Sequence, residues 1–282
     1  MSSDLTIHSS AIQYFFKFDS SMTFSISSLF LKSVPVGPLT LKVSRDLVFA
    51  FVNGEYEEKN VVHWLARIFA TVGDQATFYD IGANCGYFTL RFSSNAKQVY
   101  AFEPVRRTND ILSKNIRANG LTNATAFKVG LSDKDGEAVV QKYSSSGNNS
   151  LFRRSLPEGH PLHLIGSEKI SIAKLDSFSI THALRPPDII KIDTEGAELF
   201  VLKGAGRLLT AHKPWICMEF AESTYNDAGY STSEVLIFLQ GLQYTIKGLS
   251  SDYDDMKLYS IAEFKETIIS NIIAVPNGME LR

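Results

Sequence analysis

The chain has 282 residues, 44% of them hydrophobic, enough for one large α/β domain with a full core plus an appendage. Its 28 basic residues face 30 acidic ones for a net charge of −2, which gives no electrostatic reason to expect nucleic acid as a partner. No apolar run reaches the roughly 18 residues of a membrane span, and Cys85 and Cys217 fall in separate predicted elements with no disulfide framework. A reducing, cytoplasmic setting is the natural expectation.

The Phe-rich stretch from Ala11 to Phe30 carries Lys17, Asp19 and several serines, unlike a signal-peptide core. Residues 1–45 read as a β-rich N-terminal appendage and 46–282 as the main domain. Leu39–Val43 and Leu47–Val52 alternate and predict a hairpin around Ser44-Arg45-Asp46. A helix follows over Glu57–Ala70, carrying His63, a candidate acceptor-side base or a plain packing residue. Strands are predicted near 77–81, 98–103, 124–129, 188–193, 215–220, 243–247 and 271–275, alternating with helices. That alternation predicts a mostly parallel seven-stranded sheet with helices on both faces.

Asp80-Ile-Gly-Ala-Asn-Cys-Gly-Tyr-Phe-Thr89 closes the first of these strands and opens a helix. Gly82 and Gly86 are expected to let the backbone approach a ligand where a Cβ would intrude. The two glycines are not in the G-x-G-x-x-G spacing of a dinucleotide site, and an acid precedes the first. A carboxylate there would repel a pyrophosphate on the helix N-terminus and suit an ammonium or sulfonium. The loop therefore favours S-adenosyl-L-methionine over a nicotinamide dinucleotide. Asn84 either caps the helix or touches the cofactor's carboxylate, and Tyr87 packs on the ligand or in the core. Gln98–Glu103 is the next strand, and its terminal Glu103 is placed to accept hydrogen bonds from ribose hydroxyls. A helix over Thr108–Asn119 stops at Gly120.

Between the third and fourth strands lies an insertion, about 137–174, with extended stretches flanking the polar Ser144–Ser150 and Pro157–Pro161 segments. It reads as a lid over the acceptor or as a solvated loop. In open α/β sheets ligands sit outside the carboxyl ends of the strands, where Asp193, Glu195 and Glu219 also fall. Asp193 and Glu195 could share a side at a strand end and handle the acceptor or its proton, or cap the following helix. Glu219 could contact the acceptor or join them around Mg²⁺, although no spacing demands a metal. Lys191 lies amid Ile189, Ile190 and Ile192, where an unpaired ammonium is costly. It is either ion-paired with Asp193 or a lysine of lowered pKa.

Ile190-Lys-Ile-Asp-Thr-Glu-Gly-Ala-Glu198, Val201-Leu-Lys-Gly-Ala205 and Pro214–Glu219 together resemble the core of the FkbM family of S-adenosylmethionine-dependent methyltransferases. Asp80–Asn84, Phe102-Glu103-Pro104 and Leu131–Gly136 resemble it too, and Gly54-Glu-Tyr-Glu57 is similar to its entry motif. The resemblance spans roughly residues 50–275 in family order. It implies a Rossmann-like class I methyltransferase fold, O-methylation of a small molecule, and an adenine contact at Ser132 and Asp133. Glu55 and Tyr56 enter as acceptor-side candidates through the entry motif. The expected activity is methyl transfer to a hydroxyl of a saccharide or glycosylated metabolite. A non-sugar natural product as acceptor, or a non-catalytic binding module, are the alternatives. Asp193-Thr-Glu-Gly196 lacks the Asn/Asp-Pro-Pro-Tyr pattern expected for amino-nitrogen targets. The acceptor itself and the oligomeric state are not legible.

Overall fold

The computed structural model of the chain describes residues 31–43, 51–52, 55–56 and 58–280, with backbone alone at 51–52 and 55–56. Strands β1 (Lys32–Val36) and β2 (Leu39–Val43) form an antiparallel hairpin across Gly37-Pro38, with Val34 opposite Leu41. Leu39–Val43 therefore pairs with the residues before it. Gly37 supplies the turn's left-handed residue at φ +58°, and Val34, Val36, Leu41 and Val43 form one buried face. Residues 44–50, including the expected turn at Ser44-Arg45-Asp46, lie outside the described residues, while β3 (Phe51–Val52) pairs with β4 (Glu55–Tyr56).

The chain then runs α1 (Lys59–Val72), β5 (Thr77–Ile81), α2 (Tyr87–Phe92), β6 (Gln98–Phe102), α3 (Arg106–Ala118) and β7 (Ala124–Phe127). The insertion supplies β8 (Gly130–Leu131), β9 (Gly136–Tyr143) and β10 (Leu164–Ala173), a small separate sheet in the order β8-β10-β9. After α4 (Leu175–Thr181) come β11 (Ile189–Ile192), α5 (Glu198–Gly204), α6 (Gly206–His212) and β12 (Trp215–Glu219). The rest is α7 (Glu222–Asp227), α8 (Thr232–Gly241), β13 (Tyr244–Ser250), β14 (Tyr259–Ser260) and β15 (Ile269–Pro276).

The large sheet has the order β14-β13-β15-β12-β11-β5-β6-β7, parallel from β12 to β7 and antiparallel at β15, β13 and β14. The seven expected strands are present, and the short β14 adds an eighth at one edge. Strand order reverses between β11 and β5, the position where open α/β sheets bind ligands at their carboxyl ends. This is the Rossmann-like class I methyltransferase arrangement.

Strand alternation divides the core. Tyr79, Ile81, Ile190, Ile192, Ile216 and Met218 pack on one side with residues of α5, α6 and α8. Phe78, Ile189, Trp215 and Cys217 pack on the other with α1 and α2, where Phe69 stacks on Phe92 at 4.8 Å. Each such fully buried side chain contributes about 1.5–3 kcal/mol. By register, Asp80 and Cys217 stand directly on either side of Lys191.

The N-terminal hairpin lies behind the loop after β5. Asn115 and Asn119, one turn apart on α3, each exchange hydrogen bonds with the backbone of β2 at Lys42 and Thr40, all at 2.8–2.9 Å. The Asn115 amide also donates to the Cys85 carbonyl at 2.7 Å. Two side chains thus do the work of a neighbouring strand and tie the hairpin to the loop.

Candidate active site

At the end of β5 the chain turns through Gly82 (φ +81°), Asn84 (φ +50°) and Gly86 (φ +97°) into α2. The N–H groups of Gly82 and Ala83 both donate to the Phe102 carbonyl at 3.0 Å, and that of Gly86 to Ala83 at 2.8 Å. Asn84 N–H donates to the Glu103 carboxylate at 3.1 Å. The N–H groups of Gly82, Ala83, Asn84 and Gly86 are thus all spent inside the protein. The expectation that a Cβ at Gly82 or Gly86 would intrude on a ligand is corrected by what lies there. A Cβ on Gly82 would stand 1.7 Å from the Asp193 carbonyl oxygen, and one on Gly86 2.6 Å from Leu112. Both glycines serve close packing of the loop on β11 and α3.

Asp80 is buried and accepts from the Thr89 hydroxyl at 2.6 Å through Oδ2. Its Oδ1 has no hydrogen-bond partner among the described residues, and neither has Asn84 Oδ1. Burial pushes the Asp80 carboxyl up while Lys191 pulls it down. Asn84 makes no cap bond on α2. Glu103 accepts from Val105 N–H at 2.9 Å as well as from Asn84, and burial outweighs both bonds to raise its carboxyl to about 7.

Across the switch in strand order, Lys191 donates to Asp193 Oδ2 at 2.7 Å and lies 4.3 Å above the Phe88 ring. Burial works against its charge, but Asp193, Glu58 and Asp80 outweigh it and hold the amine above its ordinary range. The ion pair with Asp193 favours the charged form of Lys191. Glu195 takes φ +58°, a left-handed conformation that costs a non-glycine residue roughly 1–3 kcal/mol. Glu198 holds this turn by accepting from Thr194 N–H (2.7 Å), Thr194 Oγ1 (2.8 Å) and Gly196 N–H (3.0 Å). Neither Asp193 nor Glu195 caps α5; Glu198 bonds the turn's free N–H groups in their place.

The Glu195 carboxylate meets the Arg154 guanidinium, and its carbonyl accepts from Ser150 Oγ at 2.6 Å. Burial raises the Glu195 carboxyl; Arg154 opposes and Asp193 adds to the rise. Glu219, at the end of β12, has Oε2 buried without a partner among the described residues, and burial together with Glu195, Glu198 and Asp193 pushes its carboxyl well up. One carboxylate oxygen from each of Asp193, Glu195 and Glu219 lies within 4.8 Å of the others. Such a set could hold a hard divalent cation. Lys191 and Arg154 already stand against two of the three, so the local charge does not require one.

Ser132 is buried in the turn after β8, its N–H donating to Ala173 at 2.9 Å, with Asp133 half-exposed beside it. A Cβ on Gly204 would lie 1.9 Å from the Ser132 carbonyl, which gives the glycine of Val201-Leu-Lys-Gly-Ala205 its reason: α5 rests on this turn. Tyr87 is half-buried between two apolar clusters, edge-on to Phe88 at 5.1 Å. His63 lies on α1 edge-on to Trp64 at 5.1 Å, and the structure does not group it with the strand-end acids. The side chains of Glu55 and Tyr56 lie outside the described residues. Arg154 was not foreseen, since nothing in its spacing ties it to Glu195, 41 residues away. Glu198 carried a signal: an acid at a helix start, four residues after Thr194.

Comparison with known proteins bears on this geometry. The profile of the Methyltransferase FkbM domain matches residues 80–246, more than half of the chain. A Beauveria bassiana protein named Methyltransferase 1 is 24% identical over 203 residues, covering 67% of this chain and 80% of that protein. The hexuronic acid methyltransferase AglP of Haloferax volcanii is 31% identical over 127 residues, 45% of this chain and 48% of AglP. Among solved structures, the FkbM methyltransferase of Methylobacillus flagellatus is similar at a TM-score of 0.47 and 18% identity, over 71% of this chain and 44% of that one. The chain is a methyltransferase of the FkbM family.

Proposed function

We propose that the protein transfers a methyl group from S-adenosyl-L-methionine to a hydroxyl of a saccharide or glycosylated small metabolite. The observation that carries this reading is the grouping of Asp193, Glu195 and Glu219 at the strand ends, across the order reversal from the Asp80 loop.

The residues of the loop fit such a cofactor. Asp80 Oδ1 and Asn84 Oδ1 are buried acceptors without partners, suited to an ammonium beside a sulfonium. Glu103 offers a carboxylate to ribose hydroxyls, and the turn at Ser132 and Asp133 would border the adenine. When bound, the cofactor supplies an activated methyl group on positive sulfur. The protein's part is to orient the acceptor and receive its proton. Orientation can supply roughly 7–11 kcal/mol. The cofactor's sulfur would keep the electron pair of the methyl group it gives up to the acceptor oxygen, and Glu195 would take the acceptor's proton. Asp193, fixed by Lys191, stands between the cofactor and acceptor sides. A saccharide acceptor is supported by the relative that is a hexuronic acid methyltransferase.

The test is incubation with labelled cofactor and a panel of deoxysugars, nucleotide sugars, hexuronic acids and polysaccharide fragments. With an acceptor in hand, Glu195→Gln should lower turnover about 10²–10⁴-fold while S-adenosylhomocysteine affinity, read by calorimetry, stays near wild type. Turnover that survives the substitution removes Glu195 as the base. Activity abolished by EDTA and restored by Mg²⁺ would assign the three carboxylates to a metal instead.

A further inference from the structure

We propose that Arg154 is the positioning residue for Glu195: carried on the connection between β9 and β10, its guanidinium fixes that carboxylate toward the acceptor side of the strand-end cluster. The proposal rests on the reading of Glu195 as the group that takes the acceptor's proton.

The connection reaches the site through contacts that do not need the guanidinium. Gln141 and Ser150 exchange backbone hydrogen bonds at 2.7 and 3.1 Å. Ser150 Oγ then donates to the Glu195 carbonyl at 2.6 Å and accepts from Phe152 N–H at 3.1 Å. Phe152 stacks on Phe200 of α5 at 5.6 Å. Arg154 N–H donates to the buried Tyr143 hydroxyl at 2.7 Å, and Ser155 N–H donates to both Asp227 carboxylate oxygens at 3.1 and 3.2 Å. Backbone and aromatic contacts thus fasten the segment along its length. An additional buried ion pair is a poor clamp, because removing two charges from water offsets most of their attraction.

The guanidinium instead answers a need of the cluster. Asp193 has its own cation in Lys191, on β11. Glu195 is faced by Asp193 on its own turn, Glu198 at the start of α5 and Glu219 at the end of β12. Among the described residues, Arg154 is the cation paired with Glu195 against these three carboxylates. Without it, Glu195 would turn away from this crowding of like charge, and a displaced carboxyl cannot reach the acceptor's proton. The side chains of Arg154 and Glu195 are only 11% and 17% exposed, so solvent cannot substitute for the partner. The planar fork of arginine gives direction as well as charge, and Arg154 Nε is buried with no hydrogen-bond partner among the described residues.

The experiment compares Arg154→Gln and Arg154→Lys in the full chain. With an acceptor from the panel, Arg154→Gln should lower kcat about 100-fold or more while acceptor KM and S-adenosylhomocysteine affinity change less than about threefold. Arg154→Lys should recover at least about a tenth of wild-type kcat, since the charge is kept. Wild-type kcat in Arg154→Gln, or a loss carried by KM alone, overturns the proposal. A wild-type protein inactive on the whole panel would count against the proposed function, not against this pairing. The pairing is then decided by melting temperatures of Arg154→Gln, Glu195→Gln and the double variant, each with S-adenosylhomocysteine. The double variant should lose clearly less than the sum of the single losses; additive losses overturn the proposal.

Discussion

The two ends of the sheet's switch point are built differently. At the β5–β6 end, most polar contacts of the loop are made close by in sequence: Asp80 to Thr89, Asn84 to Glu103, Gly82 and Ala83 to Phe102, with Cys85 to Asn115 reaching furthest. At the β11–β12 end, Asp193, Glu195 and Glu219 are completed by Arg154 and Ser150 from the insertion, and Asp227 of α7 holds Ser155. The first end is preorganised by its own short segment and leaves two acceptor oxygens open for a ligand. The second concentrates carboxylates, of which Asp193 is paired locally with Lys191 and Glu195 with the remote Arg154. Under the proposed function, the locally built end is the donor end and the remotely completed one is the acceptor end.

The comparison is broken most severely at Gly82, where the two ends touch. Gly82→Val places a branched side chain against the Asp193 carbonyl, at a backbone conformation that L residues rarely adopt. The expected outcome is a protein that fails to fold or melts on the order of 10 °C lower, a loss of several kcal/mol. Circular dichroism and thermal melting check it. A variant of wild-type stability that has lost only S-adenosylhomocysteine binding would return Gly82 to the role of a ligand cradle and separate the two ends.

Glu103→Ala tests the donor end alone. Hydrogen bonds to a charged group are worth about 1.5–3 kcal/mol, so S-adenosylhomocysteine should bind roughly ten- to a hundredfold more weakly by calorimetry. Melting of the variant, which also loses the bonds from Asn84 and Val105, shows whether the loop itself survives. Unchanged affinity would take the ribose contact away from Glu103.

What could be read before folding follows the same division. Strand alternation, the acid before Gly82 and the acid ending β6 are local patterns, so the sheet and the Asp80–Glu103 pair were legible. Lys191 was legible as an ion pair because Asp193 lies two residues on, on the same strand face. Arg154 was not, because it sits in a polar connection with no periodicity and finds Glu195 only through the β9–β10 pairing. The role of Gly82 was misread for the same reason: the atom that excludes its Cβ belongs to a distant strand. The hairpin across Gly37-Pro38 was not legible, because its pairing shows only in the packing of Val34, Val36, Leu41 and Val43 against Leu90 of α2 and Ile111 of α3.

The mildest perturbation is a proton. Burial raises the Glu103 carboxyl to about 7, above its value in the unfolded chain. A group raised in this way favours the folded state fully below its unfolded pKa, and that contribution is lost as pH rises through about 7. The unliganded protein should therefore gain stability from Glu103 as pH falls from 7.5 towards 5. Ribose hydroxyls donate to the ionised carboxylate, so cofactor binding has the opposite sign: it favours loss of the proton. S-adenosylhomocysteine affinity should fall with decreasing pH below about 7, by at most about tenfold per pH unit for the single proton involved. Calorimetry in buffers of different ionisation enthalpy would show one proton released on binding at pH 6 and close to none at pH 8. Glu195 and Glu219 titrate in the same direction, but they lie at the other end of the switch point, so Glu103→Gln should flatten the affinity profile and leave theirs in the melting curve. An affinity profile that keeps its slope in Glu103→Gln would move the titrating group to the acceptor end and show that the two ends are coupled through Asp80, Lys191 and Asp193.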